Sequence, residues 1–281
     1  MKKNRVNTVH MMLFYSKITI NAWFQYKLDA ILRSFSVFLR EAGTIAVVYF
    51  TLITFNDING WNIKELMFLF SFIFLTYSIL IILFTGLRDF EWIVNDGRFD
   101  RFLLRPRGVL FQILASNSDW FAAIGHGGLG VLLFVLSANN VNVEWSTLNI
   151  IYFAFTIFGG VLIQGSIFLI IASLSFFFIK TGNIRDVFYW NIRSFAVYPI
   201  SVFPKIIQVI LIYIIPFAFV NYFPSQFFLH KSDMIAYPEI YIYITPIVGL
   251  TVYLLAYLFW RVSLKHYKSL SLIHISEPTR R

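Results

Sequence analysis

With 58% hydrophobic and 13% charged residues, this chain of 281 residues holds about half the ~25% charge of an ordinary soluble domain. No water-soluble fold of that size hides so much apolar surface, so a bilayer must solvate it. The net charge is +9 and cysteine is absent, which excludes disulfides, thiolate metal sites and a cysteine nucleophile.

A helical span needs about 20 mostly apolar residues, and six segments qualify. The first is Phe35 to Phe55, with Arg40 and Glu41 near its start. The second, Leu66 to Leu87, is uninterrupted. The third runs from Trp120 to Leu136. The fourth, Leu148 to Ile179, exceeds the bilayer thickness and must tilt, bend or project. The fifth lies within Phe195 to Val220, where Pro199, Pro204 and Pro216 each remove a backbone donor. The sixth is Ile240 to Trp260. The expected fold is therefore an all-α integral membrane protein of six transmembrane helices, with residues 35–269 as one membrane domain.

Residues 1–34 form a separate expectation. Lys17, Asn21, Gln25, Asp29 and Arg33 recur every fourth position, among Phe14, Ile18, Trp23, Phe24, Leu28, Ile31 and Leu32. That pattern suits an amphipathic helix in the membrane surface; an ill-formed extra span is the alternative. The apolar residues are interrupted too often for a cleavable signal peptide.

Basic residues set the orientation. They concentrate before the first span, between the second and third (Arg88, Arg98, Arg101, Arg105, Arg107), between the fourth and fifth (Lys180, Arg185, Arg193) and after the sixth (Arg261, Lys265, Lys268). The alternate loops hold only Lys64 and Lys231. With six spans all four basic segments share one side, the cytoplasm, and both termini lie there.

Catalytic signatures are missing. There is no Walker A loop, no His-Glu-x-x-His and no Gly-x-Ser-x-Gly, and no cofactor is expected on this chain. Three polar residues inside spans are candidates for a translocation path. His126, in Gly125-His126-Gly127-Gly128, either lines such a path or is a packed histidine. Ala123 and Gly127, four apart, suit close helix approach. Lys205 either serves the path or snorkels to the interface. Gln164 reads as interhelical glue or substrate contact.

The loop from Arg88 to Asn117 mixes acids and arginines with Phe90, Ile93, Val94, Phe99, Phe102, Leu103 and Leu104. A purely solvated loop would not carry so many large apolar residues, whereas an amphipathic helix docking on a partner would. Gly97 can end one short helix and Pro106 limits the next.

Ile93-Val94-Asn95-Asp96-Gly97-Arg98-Phe99-Asp100-Arg101-Phe102-Leu103-Leu104-Arg105-Pro106 resembles the Gly-x-Leu-Asp-x-x-Leu-x-Arg-Pro signature of type-2 ABC transporter permeases. The nearest subgroup resembles six-span bacterial permeases encoded beside daunorubicin-resistance-like ATPases. Gly60-Trp61 with Glu65-Leu66, the stretch from Tyr198-Pro199 to Pro224, and Trp260 with His266-Tyr267-Lys268-Ser269 are similar to other parts of the family. The resemblance implies an exporter subunit in the bacterial inner membrane. It implies a second permease copy or sister as partner, and separate ATP-binding subunits carrying ATP and Mg; no nucleic acid is implied. Ile93, Gly97, Phe99, Asp100, Leu103, Leu104, Arg105 and Pro106 would form the coupling loop, with Phe99 as a hydrophobic knob where leucine is common. A membrane-embedded enzyme or a secondary transporter are the alternatives.

Leu270 to Arg280 matches the translation of a transposase sequencing adapter, so residues 270–281 are read as an assembly artefact. Topology is directly testable. Reporter fusions at Gly60, Asn140 and Ser232 should read as external, and fusions at Gly97, Gly182 and Lys268 as cytoplasmic; a cytoplasmic signal at Asn140 would refute six spans.

Overall fold

The computed structural model describes residues 11, 14–18, 20–21, 25–55, 57–141, 143–231 and 237–267, and no side chain of 51–55. Ser232, Lys268, Trp23, Phe24 and the expected artefact lie outside these residues. Apart from one isolated bridge, Ile58 with Trp61, the described structure is helical.

Helix α1 (Lys27–Phe55) runs unbroken through the expected boundary at residue 34. Helix α2 (Ile63–Arg88) opens on a capping box. Asn62 accepts from the Lys64 and Glu65 amides, at 3.0 and 3.1 Å, while Glu65 accepts from the Asn62 amide at 2.9 Å, so orphan donors of the first turn are satisfied reciprocally. Lys231 then ties this end to the chain's later half, donating to both Glu65 and the Gly60 carbonyl at 2.6 Å. Short helices α3 (Phe90–Asn95), α4 (Asp100–Leu103) and α5 (Val109–Ser116) follow, then α6 (Trp120–Ala138) and α7 (Thr147–Leu174).

Helix α2 is buried on nearly every side and packs against α6 and α7. Helix α1 lies on α6, and α11 (Thr245–Leu264) lies on α7. The Ala123–Gly127 stripe meets α2 as its spacing suggests. Ser78 donates to the Ala123 carbonyl at 2.8 Å, and a Cβ on Gly127 would lie 2.7 Å from the Ser78 hydroxyl. At the α7–α11 crossing, Gly249 backs directly onto the Gly159 backbone, and a Cβ there would lie 2.7 Å from the Gly159 Cα.

Among the described residues four helices are long and apolar enough to cross a membrane: the helical run Ile63–Asn95, α6, α7 and α11; a fifth arises if one bent pair counts as a span. The first expected segment, Phe35 to Phe55, lies in α1, which is not among these four, and three others are re-drawn. The sixth begins at Thr245 rather than Ile240, after a separate turn at Glu239–Ile242. The fourth ends at Leu174 rather than Ile179, because the chain turns back at Ser175. The fifth is not one helix. Helix α8 spans 182–195 with a π-helical middle, Asp186–Asn191. After a break at Pro199 and Pro204 comes α9 (Lys205–Val209), extended by a π-helix to Ile214. Pro216 ends it, and the next helical run, Phe217–Leu229 including α10 (Tyr222–Leu229), leaves at 74°. The prolines therefore do more than kink a span: they divide it into pieces whose freed backbone groups are met inside the bundle, as Asn221 shows by donating to the Ala196 carbonyl at 2.7 Å.

Gly249→Ala is expected to overpack the α7–α11 crossing by about 2 kcal/mol. Thermal unfolding of the detergent-solubilised protein checks this, and an unchanged midpoint would show that the crossing relaxes.

Candidate functional site

Two arrangements of polar groups stand out, at the basic end of the bundle and within its middle. The first is built from the loop after α2. Glu91 on α3 accepts from the amides of Thr181 and Gly182 at 2.6 Å. A carboxylate thus sits on the positive end of α8. Arg185 reaches back from α8, donating to Asp89 at 2.7 Å and to the Arg88 carbonyl at 2.8 Å. Gln112 on α5 donates to the carbonyls of Phe102 and Arg107, at 3.0 and 2.8 Å, and so closes the loop on itself.

Phe99 is not the exposed knob expected of it. It is fully buried, edge-on to Phe90, Phe176 and Tyr267 at centroid separations of 4.7–5.5 Å. The Tyr267 hydroxyl donates to Asp100 at 2.8 Å, and burial together with that bond pushes the phenol's pKa up. Gly97 takes φ +68° between α3 and α4, so the turn needs a residue without a Cβ. The apolar groups left outside are Trp92, Leu103 and Leu104, the last 86% exposed. Arg105 and Pro106 are also exposed, with the Arg105 guanidinium over the Phe102 ring, and Ile93 is half-buried.

The second arrangement lies within the bundle. Glu41 of α1 is buried. Arg40 donates to it twice, at 2.8 and 3.1 Å. Arg193 of α8 brings its guanidinium within 3.9 Å of the other Glu41 oxygen and stacks on the Tyr77 ring at 4.8 Å. His126 of α6 is buried with its Nδ1 3.9 Å from Glu41 and its ring edge-on to Tyr77. Tyr77 stands 11 residues from the end of α2, about 16 Å along a helix rising ~1.5 Å per residue. Charge is thus held roughly halfway along the central helix, where ionisable groups are costly unless paired.

Beside it, Tyr189 donates to Gln164 at 2.8 Å, and Gln164 donates to Thr76 at the same distance. Gln164 therefore joins α7, α8 and α2, which fits its reading as glue. The structure brings His126 and Gln164 into one neighbourhood. Lys205 is left out of it, exposed at the first turn of α9.

Sequence reading did not assemble this cluster. Arg193 looked like a loop residue because Asn183, Arg185, Asp186 and Asn191 hide α8 from any hydropathy window. The only signal was the run Phe188-Tyr189-Trp190 beside it, an odd content for a solvated loop.

The helical bundle thus buries a charge cluster about halfway along its central helix and clamps an amphipathic loop at its basic end. Residues 38–271 match the model of the ABC-2 family of transporter proteins, and the chain belongs to that family. It is a multi-pass membrane protein, the permease component of an ABC transporter, and not itself catalytic. No curated protein and no solved structure matches it.

Glu41→Gln removes the carboxylate facing Arg193, whose side chain is only 13% exposed; breaking such a pair from one side costs about 3 kcal/mol. Arg40 is 63% exposed, so Arg40→Gln should lower the thermal midpoint far less. Equal shifts would mean that Glu41 does not organise the cluster.

Proposed function

We propose that this chain is the membrane-spanning half of a bacterial inner-membrane exporter. Two permeases, this chain with a second copy or a sister, form the path across six spans each. ATP and Mg bind on separate ATP-binding subunits. Within the ABC-2 family, the loop around Gly97 to Pro106 supports a place among permeases of the daunorubicin-resistance-like kind.

The observation that carries this reading is the loop 88–117. Glu91, Arg185 and the Phe99 nest fasten it to the rest of the bundle, while Trp92, Leu103 and Leu104 stay exposed beside Arg98, Arg101 and Arg105. A rigid base with an apolar tip suits a helix-in-groove contact. Coupling therefore runs through the exposed leucines, with Asp100, Gly97, Ile93, Arg105 and Pro106 shaping the segment and Phe99 anchoring it from within. A push on this loop reaches α8 through the Glu91 contact, and α8 carries Arg193. The enzyme and secondary-transporter alternatives gain no observation of their own.

Tagged permease, purified from membranes of its own host, tests the coupling contact. The double variant Leu103→Ala, Leu104→Ala should lose the ATP-binding subunit at unchanged permease abundance, since truncating such an anchor costs about 2 kcal/mol of binding. Phe99→Ala should instead lower the abundance or thermal midpoint of the permease itself, by about 3 kcal/mol of lost core packing. Full recovery of the ATP-binding subunit with the leucine variant would place the contact elsewhere on this face.

A further inference from the structure

The mid-depth cluster borders a cavity of about 370 Å³ between α1, α2 and α8. That is the size of a small-ligand pocket. Its lining combines charged groups, Arg40, Glu41 and Arg193, with apolar ones, Ile45, Phe70 and Ile73 among them, and Arg193 itself lies over the Phe74 and Trp190 rings. The charges lining it do not cancel: two guanidinium groups accompany a single carboxylate, and Arg40 already donates to that carboxylate twice. The Arg193 Nε is buried with no hydrogen-bond partner. The nearest carboxylate oxygen to Arg193, at 3.9 Å, is too far to accept a hydrogen bond. An arginine held this way has donor positions to spare in a setting where an unmet charge is expensive.

We infer that this cavity binds the anionic group of an amphipathic molecule, a phosphate or carboxylate on an apolar body, with Arg193 and Arg40 as its donors. Guanidinium forks match such oxyanions in geometry, and the bond is charge-assisted on both sides. The apolar lining, Ile45, Phe70 and Ile73, takes the adjoining apolar part. Glu41 holds the two arginines in place. A headgroup of this kind has two sources, a membrane phospholipid or the transported molecule. Only the place of the site on a transport path rests on the permease reading; binding itself does not.

The probe is dodecyl phosphate, titrated into the purified permease in neutral detergent without ATP and followed by native mass spectrometry. Saturable binding is expected, with dodecanol, the uncharged analogue, failing to compete. Arg193→Gln should weaken it by about tenfold or more, the worth of a charge-assisted hydrogen bond, and Arg193→Lys should restore part of it. Absent binding, equal competition by dodecanol, or unchanged affinity in Arg193→Gln overturns the site; the dodecanol comparison uses the wild-type protein and so decides even where the variant does not fold. Repeating the titration in phosphatidylglycerol and phosphatidylcholine nanodiscs identifies the source. Weaker binding in phosphatidylglycerol means that lipid occupies the site, and equal binding means that the site is kept for another amphiphile; both uphold it.

Discussion

One carboxylate holds the middle of this bundle together. Among the described residues Glu41 is the acidic side chain paired with Arg40 of its own helix, Arg193 of α8 and His126 of α6. In hydrocarbon the alternative to such pairing is a bare charge, which costs several kcal/mol even after relaxation. The positions of α1, α6 and α8 around α2 are therefore not free to vary independently. The neutral network beside it works to the same end. Gln164 can satisfy its amide only while Thr76 and Tyr189 stay where they are, so α7 and α8 are held to α2 by groups that lose their partners if any one helix slips.

Helix α8 is where the two polar regions meet. Its N-terminus receives Glu91 from the loop after α2, and its C-terminal turn delivers Arg193 to the cluster. Between them lies a π-helical stretch containing Tyr189. The wider π turn leaves one residue more per helical turn than an α-helix would. In this chain it lets Tyr189 bond Gln164 while Arg193, four residues on, stacks over Tyr77. Such local departures from α-helix recur at functional positions. Helices long enough to cross alone, such as α2 and α7, contribute rigid walls. The segment too short and too polar to cross alone adds Arg193 and Tyr189 to the polar groups that α1, α6 and α7 present, Glu41, His126 and Gln164.

Much of the architecture is legible in the residue order. Helices α2 and α6 appear within a few residues of their expected bounds because their apolar runs are long and their ends carry polar caps, Asn62 and Asp119. Pro199, Pro204 and Pro216 do break the fifth segment, since a missing donor acts locally. The failures are non-local. The burial of Phe99 depends on Phe176 and Tyr267, which are distant in the chain, and a sequence window sees only that it is aromatic. Arg193 reads as a cytoplasmic marker because a hydropathy window counts its charge and cannot count Glu41, 152 positions earlier, or the ring of Tyr77 beneath it. Pairing is what lets a charge enter the bundle, and pairing between distant positions leaves no mark on local composition.

The same logic separates the two kinds of aromatic side chain in this protein. At the basic end, the nest of Phe90, Phe99, Phe176 and Trp260 has no polar atom but the Trp260 indole nitrogen, so its geometry is set by ring-edge packing, with centroids 5.2–5.6 Å apart. It is a stiff block, suited to transmit force. In the middle, the rings of Phe74, Tyr77 and Trp190 face the Arg193 guanidinium at 4.8–6.0 Å, and such ring faces lower the cost of holding a cation there. The first set resists change of shape. The second holds a cation by its ring faces, so Arg193 keeps its place although its nearest carboxylate oxygen is 3.9 Å away. A transporter needs both properties in one chain, and α8 links them: its first residue receives Glu91 from the loop that also holds Phe90 and Phe99, and its last turn carries Arg193.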